Sequence, residues 1–152
     1  MCDNYAQWPP IEDWIRVLFA NLPSAEYRET SEQSCLYNCI AWAAEDVDNW
    51  WWPSEDAFWP VDILDDSVGS FENAFRVSRN YDPCDSGELE VGFQKVAVYA
   101  AGNQVKHMAR QLDNGLWTSK LGIGWDISHH TTESLISPQY GDSISYLRRP
   151  LN

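Results

Sequence analysis

Apolar positions along this 152-residue chain follow two periods, and the change from one to the other falls near residue 93. Ahead of it, Ile11, Trp14, Ile15, Leu18 and Phe19 recur at helical spacing between Pro9-Pro10 and Pro23, which predicts an amphipathic packing helix. Residues 23–34 are polar and read as a loop, with a short turn around Ala25. Asn38 then opens a small-residue apolar run from Cys39 to about Asp46, and its side chain suits an N-cap. The small residues Ala41, Ala43 and Ala44 would let a sheet approach closely. A second helix is expected with Ser70 as N-cap and an end near Asn80, followed by a turn-rich connector over Tyr81–Gly87.

Beyond residue 93 the runs Phe93–Ala101, Val105–Leu112, Leu116–Leu121 and Ser143–Arg149 are short and β-prone. Gly102-Asn103 breaks the first two, and Asp113-Asn114-Gly115 is a strong hairpin signal. Helices first and strands afterwards predict a single α+β domain over 1–152, its N-terminal helices packed on a C-terminal antiparallel sheet. Residues 1–32 would supply a packing helix and loop, 33–92 the cysteine helix, Trp-rich loops and second helix, and 93–152 the sheet.

The aromatic content changes this picture. Nine Trp is many for the size, and Trp50, Trp51 and Trp52 are consecutive. Three neighbours cannot all enter one face, helical or extended, so some of them, with Trp59, are expected to wall a substrate groove or to plug a loop-rich flank. The net charge of −13, from 23 acidic and 10 basic residues, argues against nucleic acid or an anionic membrane as partner. The N-terminal segment carries no signal-peptide pattern, and no apolar run approaches the ~20 residues of a membrane span. The expectation is a cytoplasmic protein as synthesised, with export as an effector the alternative. Cysteines at 2, 35, 39 and 84 are then expected reduced, and their spacing fits no zinc site. No metal or organic cofactor is implied.

Cys39 is expected in a first helical turn, where unpaired N–H groups and the helix dipole favour a thiolate. A base is offered by His107, inside a β-prone run. Which group orients that base depends on hairpin register. A two-residue Asn114-Gly115 turn pairs Arg110 with Ser119 and puts Lys120 on the His107 face. A three-residue Asp113-Asn114-Gly115 loop, with Gly115 left-handed, pairs Ala109 with Ser119 and puts Ser119 there instead. Asp126 is the charged alternative, level with Ser119, and His129 stands behind both. His129 and His130 point to opposite sides if extended, so at most one joins the site.

A polar lead-in, a Cys opening an Ala/Trp-rich helix and a later His-bearing hairpin resemble the order of the papain-like cysteine hydrolases. The segment HMARQLDNGLWTSKLG resembles the His hairpin of the smaller bacterial branch, the cell-wall endopeptidases and CHAP-type amidases, and WTSKLG, DISH and YG look like segments of mostly uncharacterised bacterial papain-like domains. The likeness runs over roughly residues 33–148. It implies a papain-like fold in which Cys39 attacks an amide carbonyl and His107 acts as base, then acid. It also implies that Gln33, six positions before Cys39, and the Cys39 backbone N–H hold the oxyanion. The chain departs from the branch in having Asn38-Cys39-Ile40-Ala41 where the cell-wall enzymes have Cys-Ser-Gly. Protein, peptide, isopeptide and peptidoglycan amides all stand as substrates. The rival expectation is a non-catalytic binding or immunity-type module that uses its Trp loops and acidic surface.

Overall fold

The computed structural model describes residues 5–151. Its centre is one antiparallel sheet of seven strands: β1 (Tyr27–Ser31), β2 (Asp82–Cys84), β3 (Phe93–Ala101), β4 (Gln104–Gln111), β5 (Trp117–Lys120), β6 (Asp126–His129) and β7 (Ser143–Pro150). Their spatial order is β1-β6-β5-β4-β3-β7-β2. Three helices cover it: α1 (Ile11–Leu18), α2 (Cys39–Ala43) and α3 (Val68–Arg79). The α+β class and the central hairpins match the sequence pattern. The division into leading helices and trailing strands does not, because β1 and β2 come from the first two segments and pair with β6 and β7. Both are short edge strands without apolar alternation, and β6, four residues long, lies outside the β-prone runs of the sequence.

Alternation along β3 and β4 divides the interior into two cores. Val96, Val98 and Met108 face α2 and α3, joining Ile40, Ala41, Trp51, Phe71 and Phe75. Ala97, Tyr99 and Ala109 face α1, joining Ile11, Ile15, Phe19 and Ile127. Truncating one of the buried phenylalanines would cost roughly 3–5 kcal/mol. α3 ends as expected at Asn80, which is left-handed at φ 64, but its N-cap is Ser67, whose side chain accepts from Ser70 N–H. The chain therefore enters the helix one turn earlier than expected.

α2 is five residues rather than about eight. It stops in a Schellman cap: Asp46 N–H donates to Ala41 O, and Glu45 N–H to Trp42 O. Glu45 occupies the left-handed position, φ 63, where glycine is usual. At the other end Asn38 caps α2 as expected. Its Oδ1 accepts from Ala41 N–H and Trp51 N–H, while its Nδ2 donates to Trp51 O. One side chain thus fixes both the cysteine helix and the tryptophan loop. Cys35, just before this cap, is disulfide-bonded, which corrects the expectation of reduced thiols at that position; Cys2 lies outside the described residues.

Two irregularities aim side chains. The β4–β5 turn is the three-residue loop, closed by Leu112 N–H to Leu116 O, with Gly115 left-handed at φ 87. It sets Arg110 opposite Thr118, which puts Ser119 on the His107 face. The β3–β4 ladder holds a bulge: Tyr99 pairs with His107 and Ala100 with Val105, leaving Lys106 as the extra residue. Val105 therefore joins the α2-side core, while His107, two positions on, faces Tyr99 on the other side. The backbone at Ala100 also receives Gly141, where a Cβ would lie 2.2 Å from the Ala100 carbonyl oxygen.

Gly141→Ala should accordingly cost roughly 2–4 kcal/mol, from its φ of 84 and the backbone clash together. Gly102→Ala, at φ 61 in open space, should cost only about 1 kcal/mol. Urea unfolding of the two variants checks the ranking.

Candidate functional site

Two groups of chemically able side chains meet around one tyrosine. The first is a line of hydrogen bonds across β4, β5 and β6 on the α1 side. His107 Nε2 lies 3.0 Å from Ser119 Oγ, Ser119 Oγ 2.8 Å from His129 Nε2, and His129 Nδ1 2.8 Å from the Thr131 carbonyl oxygen. His107, Ser119 and His129 are all 0% exposed. Burial pushes His129 down to about 4, against the Thr131 carbonyl, and pushes His107 well below its ordinary value, with His129 adding to the fall. Both rings are neutral near pH 7.

Neutrality fixes the direction of the chain. A carbonyl only accepts, so His129 Nδ1 carries the proton and its Nε2 is bare. Ser119 must then donate to His129 and accept from His107 Nε2–H. The lone pair of His107 is left on Nδ1, and that atom is buried with no hydrogen-bond partner.

The second group surrounds Cys39. A cavity of about 360 Å³ is bounded by Asn38, Cys39, Trp50, Trp52, Lys106 and Tyr140. Trp50 is 37% exposed at its rim. Trp51, at 1%, is core; Trp59 is half-buried against Phe71 at 4.8 Å, and neither lines the cavity. Tyr140 joins the two groups. Its ring stacks on His107 at 3.9 Å and 4°, while its phenol is raised well above its usual value by burial and by the Cys39 sulfur.

Cys39 and His107 themselves are not hydrogen-bonded. β4 meets α2 through Met108, whose backbone hydrogen-bonds toward the Cys39 sulfur, while the neighbouring His107 points to the far face. The expected thiolate is not the resting form either. Burial pushes the thiol up to about 11, outweighing the Met108 backbone, the Lys120 charge and the first N–H groups of α2, all of which pull it down. Cys39 is only 8% exposed. A five-residue helix adds little dipole to oppose that burial.

The remaining candidates lie elsewhere. Asp126 accepts from Ser31 and Tyr37 hydroxyls at 2.6 and 2.8 Å and does not bond to His107. It faces the α2 side, as its place next to Ile127 in β6 requires. Gln33 is half-buried in the loop before α2 and does not line the cavity. His130 is exposed. Sequence reasoning missed the part played by Lys120. Its ammonium is buried, donates to Ser34 O at 2.7 Å and to Gly122 O, and lies 5.1 Å from the Tyr37 ring centroid. Burial lowers it to about 8, with Asp126 and Cys39 acting the other way. The three-residue loop register was the signal, since it turns Lys120 toward α2 whenever Ser119 faces His107.

Among the described residues, no group of three His, Cys, Asp or Glu is arranged to hold a metal ion. None of their helices is long and apolar enough to cross a membrane.

Residues 28–148 match the model of a domain of unknown function, DUF7689. The match covers most of the chain, which belongs to that family. No curated protein and no solved structure matches it.

The buried imidazoles carry a pH dependence. A histidine whose folded pKa lies below its unfolded value contributes stability that is present above the unfolded value and lost as pH falls. For His129 the window runs from 6.5 down to about 4, a loss of roughly 3 kcal/mol across it. The urea midpoint should fall steeply over that range, and a His107→Gln/His129→Gln double variant should flatten the slope whatever its stability at pH 7.

Proposed function

We propose that this protein is a thiol hydrolase of the papain-like kind that cleaves an amide bond at Cys39. The observation that carries the reading is the hydrogen-bond chain ending on a bare, partnerless His107 Nδ1. An imidazole held in one tautomer by a polar partner, with its other nitrogen kept as an acceptor, is the equipment of a general base. The resemblance around Cys39 and His107, and the aromatic cavity at the thiol, point the same way.

In this reading the resting site is a neutral thiol and a neutral imidazole. Catalysis needs the β4 backbone to shift at the Lys106 bulge, so that the His107 ring leaves its stack with Tyr140 and reaches the sulfur from the other face. His107 Nδ1 then takes the thiol proton as the sulfur attacks the carbonyl, and returns it to the leaving amine. Ser119 and His129 are positioning residues that hold His107. The Cys39 and Ile40 N–H groups already directed at the sulfur are the nearest oxyanion donors, with Gln33 brought in only if its loop closes. The fold in its finer papain-like sense belongs to this proposal as well.

A second reading has its own support. A thiol pushed to about 11, without a hydrogen bond to His107, is what a non-catalytic pocket would contain. There Trp50 and Trp52 bind a ligand and the cysteine is only part of the wall.

Iodoacetamide labelling separates the two. Under the hydrolase reading, Cys39 is alkylated near pH 7 ahead of Cys84, and His107→Ala slows it by roughly 10- to 100-fold, the loss of a general base. Ser119→Ala slows it less. Under the pocket reading, the rate climbs with pH toward 11 and ignores His107.

A further inference from the structure

Among the described residues, every Lys and Arg side chain but two is engaged in a hydrogen bond, ion pair or ring contact. Arg16, Lys95, Arg148 and Arg149 pair with carboxylates. Arg76, Arg79, Arg110 and Lys120 bond to side chains or carbonyls. The exceptions are Arg28 and Lys106, both exposed. In a chain of net charge −13, a cation with neither a carboxylate nor any other polar or aromatic partner stands out.

Lys106 is also placed unusually. It is the extra residue of the β3–β4 bulge, free of the ladder that would otherwise fix its direction, and bulges re-aim side chains beside functional sites. Here the side chain lines the Cys39 cavity, with Trp50, Trp52 and Tyr140. The opposite wall belongs to a stretch that has no Lys or Arg between Arg28 and Arg76. An anion in this cavity therefore meets Lys106 as the cation of the lining, beside Trp50, Trp52 and Tyr140, while the Lys120 charge acts on the sulfur itself.

We propose that Lys106 is the anion anchor of the Cys39 cavity, and that the ligand admitted there carries a carboxylate close to an apolar or aromatic group. As a statement about substrate it rests on the thiol-hydrolase reading: the scissile amide would belong to an acylated amino acid or a peptide end with its carboxylate on Lys106. As a statement about what the cavity binds, it stands without catalysis. The acidic surroundings do not contradict it; they raise the contrast, since a misplaced carboxylate is repelled and a correctly placed one is not.

The test compares two alkylating reagents of equal size, iodoacetate and iodoacetamide, at Cys39, read by mass spectrometry. Because Lys120 also lies near the sulfur, the deciding quantity is how the iodoacetate-to-iodoacetamide rate ratio changes between variants. Lys106→Met should lower that ratio about fivefold to tenfold at low salt, Lys106→Arg should keep it, and Arg28→Met should leave it alone. A ratio unchanged in Lys106→Met overturns the proposal. If neither reagent reaches Cys39, the hydrolase reading fails and the anchor is read by binding instead. Benzoylglycine and its carboxamide are then titrated while the indole N–H signals of Trp50 and Trp52 are followed by NMR. Tighter binding of the carboxylate that disappears in Lys106→Met supports the anchor. Equal binding, no binding of either, or a preference that survives the substitution overturns it.

Discussion

The extra residue at Lys106 is the constraint on which the arrangement of the site depends. A regular ladder would send Val105 and His107 to the same face, since side chains two apart along a strand are alike. The bulge breaks that rule once. Val105 fills the core beneath α2 and α3, His107 enters the opposite core against Tyr99, and Lys106 is pushed out beside the cavity. The same kink at Ala100 receives Gly141, which carries Tyr140 over the imidazole. Phe19 at 5.1 Å and the Tyr99 hydroxyl on Thr132 O at 2.7 Å secure the surrounding loop. One inserted residue therefore sets the bearings of a cation, an imidazole and a phenol.

Competition between burial and dipoles decides the state of the thiol. Backbone N–H groups and Lys120 all favour negative charge at Cys39, yet the residue is buried in the core cluster that also holds Ile40, Ala41, Met108 and Tyr37. Desolvation wins. Had α2 run on to Asp46, more aligned peptide dipoles would have weighed on the other side. The Schellman cap at Glu45 ends the helix and also frees the following residues to carry the tryptophan loop back to Asn38. The length of α2 is thus bound up with the shape of the cavity.

Much of this was legible in the sequence wherever a local rule acts alone. The Asn38 cap, the helix end near Asn80, the apolar stripe of α1 and the division of three tryptophans between core and surface all follow from side-chain chemistry and period. The hairpin register was narrowed to two choices, and only the ladder decides between them. What could not be read are features set by distant partners. Tyr27–Ser31 is polar and becomes a strand because β6 offers an edge. Asp126 is drawn to Tyr37 and Ser31 rather than to an imidazole. The bulge leaves no mark in Val105-Lys106-His107, so the separation of His107 from α2 was invisible. Cys39 in turn reads as a first-turn thiol, but its burial is a property of the packed sheet.

The row of His107, Ser119 and His129 has a direction because its last acceptor is a carbonyl, and that direction makes it a conductor. A proton arriving at His107 Nδ1 need not stay on that ring. His107 can pass its Nε2 proton to Ser119, and Ser119 its own to His129. The charge then rests on His129 beside the Thr131 oxygen, with no heavy atom displaced. His129 is the ring with a carbonyl supporting its charged form, whereas both influences on His107 oppose charge. Three side chains on three adjacent strands thus form a short relay through which a proton reaching His107 can be shared with His129, where the Thr131 carbonyl supports the charge and burial and His130 oppose it.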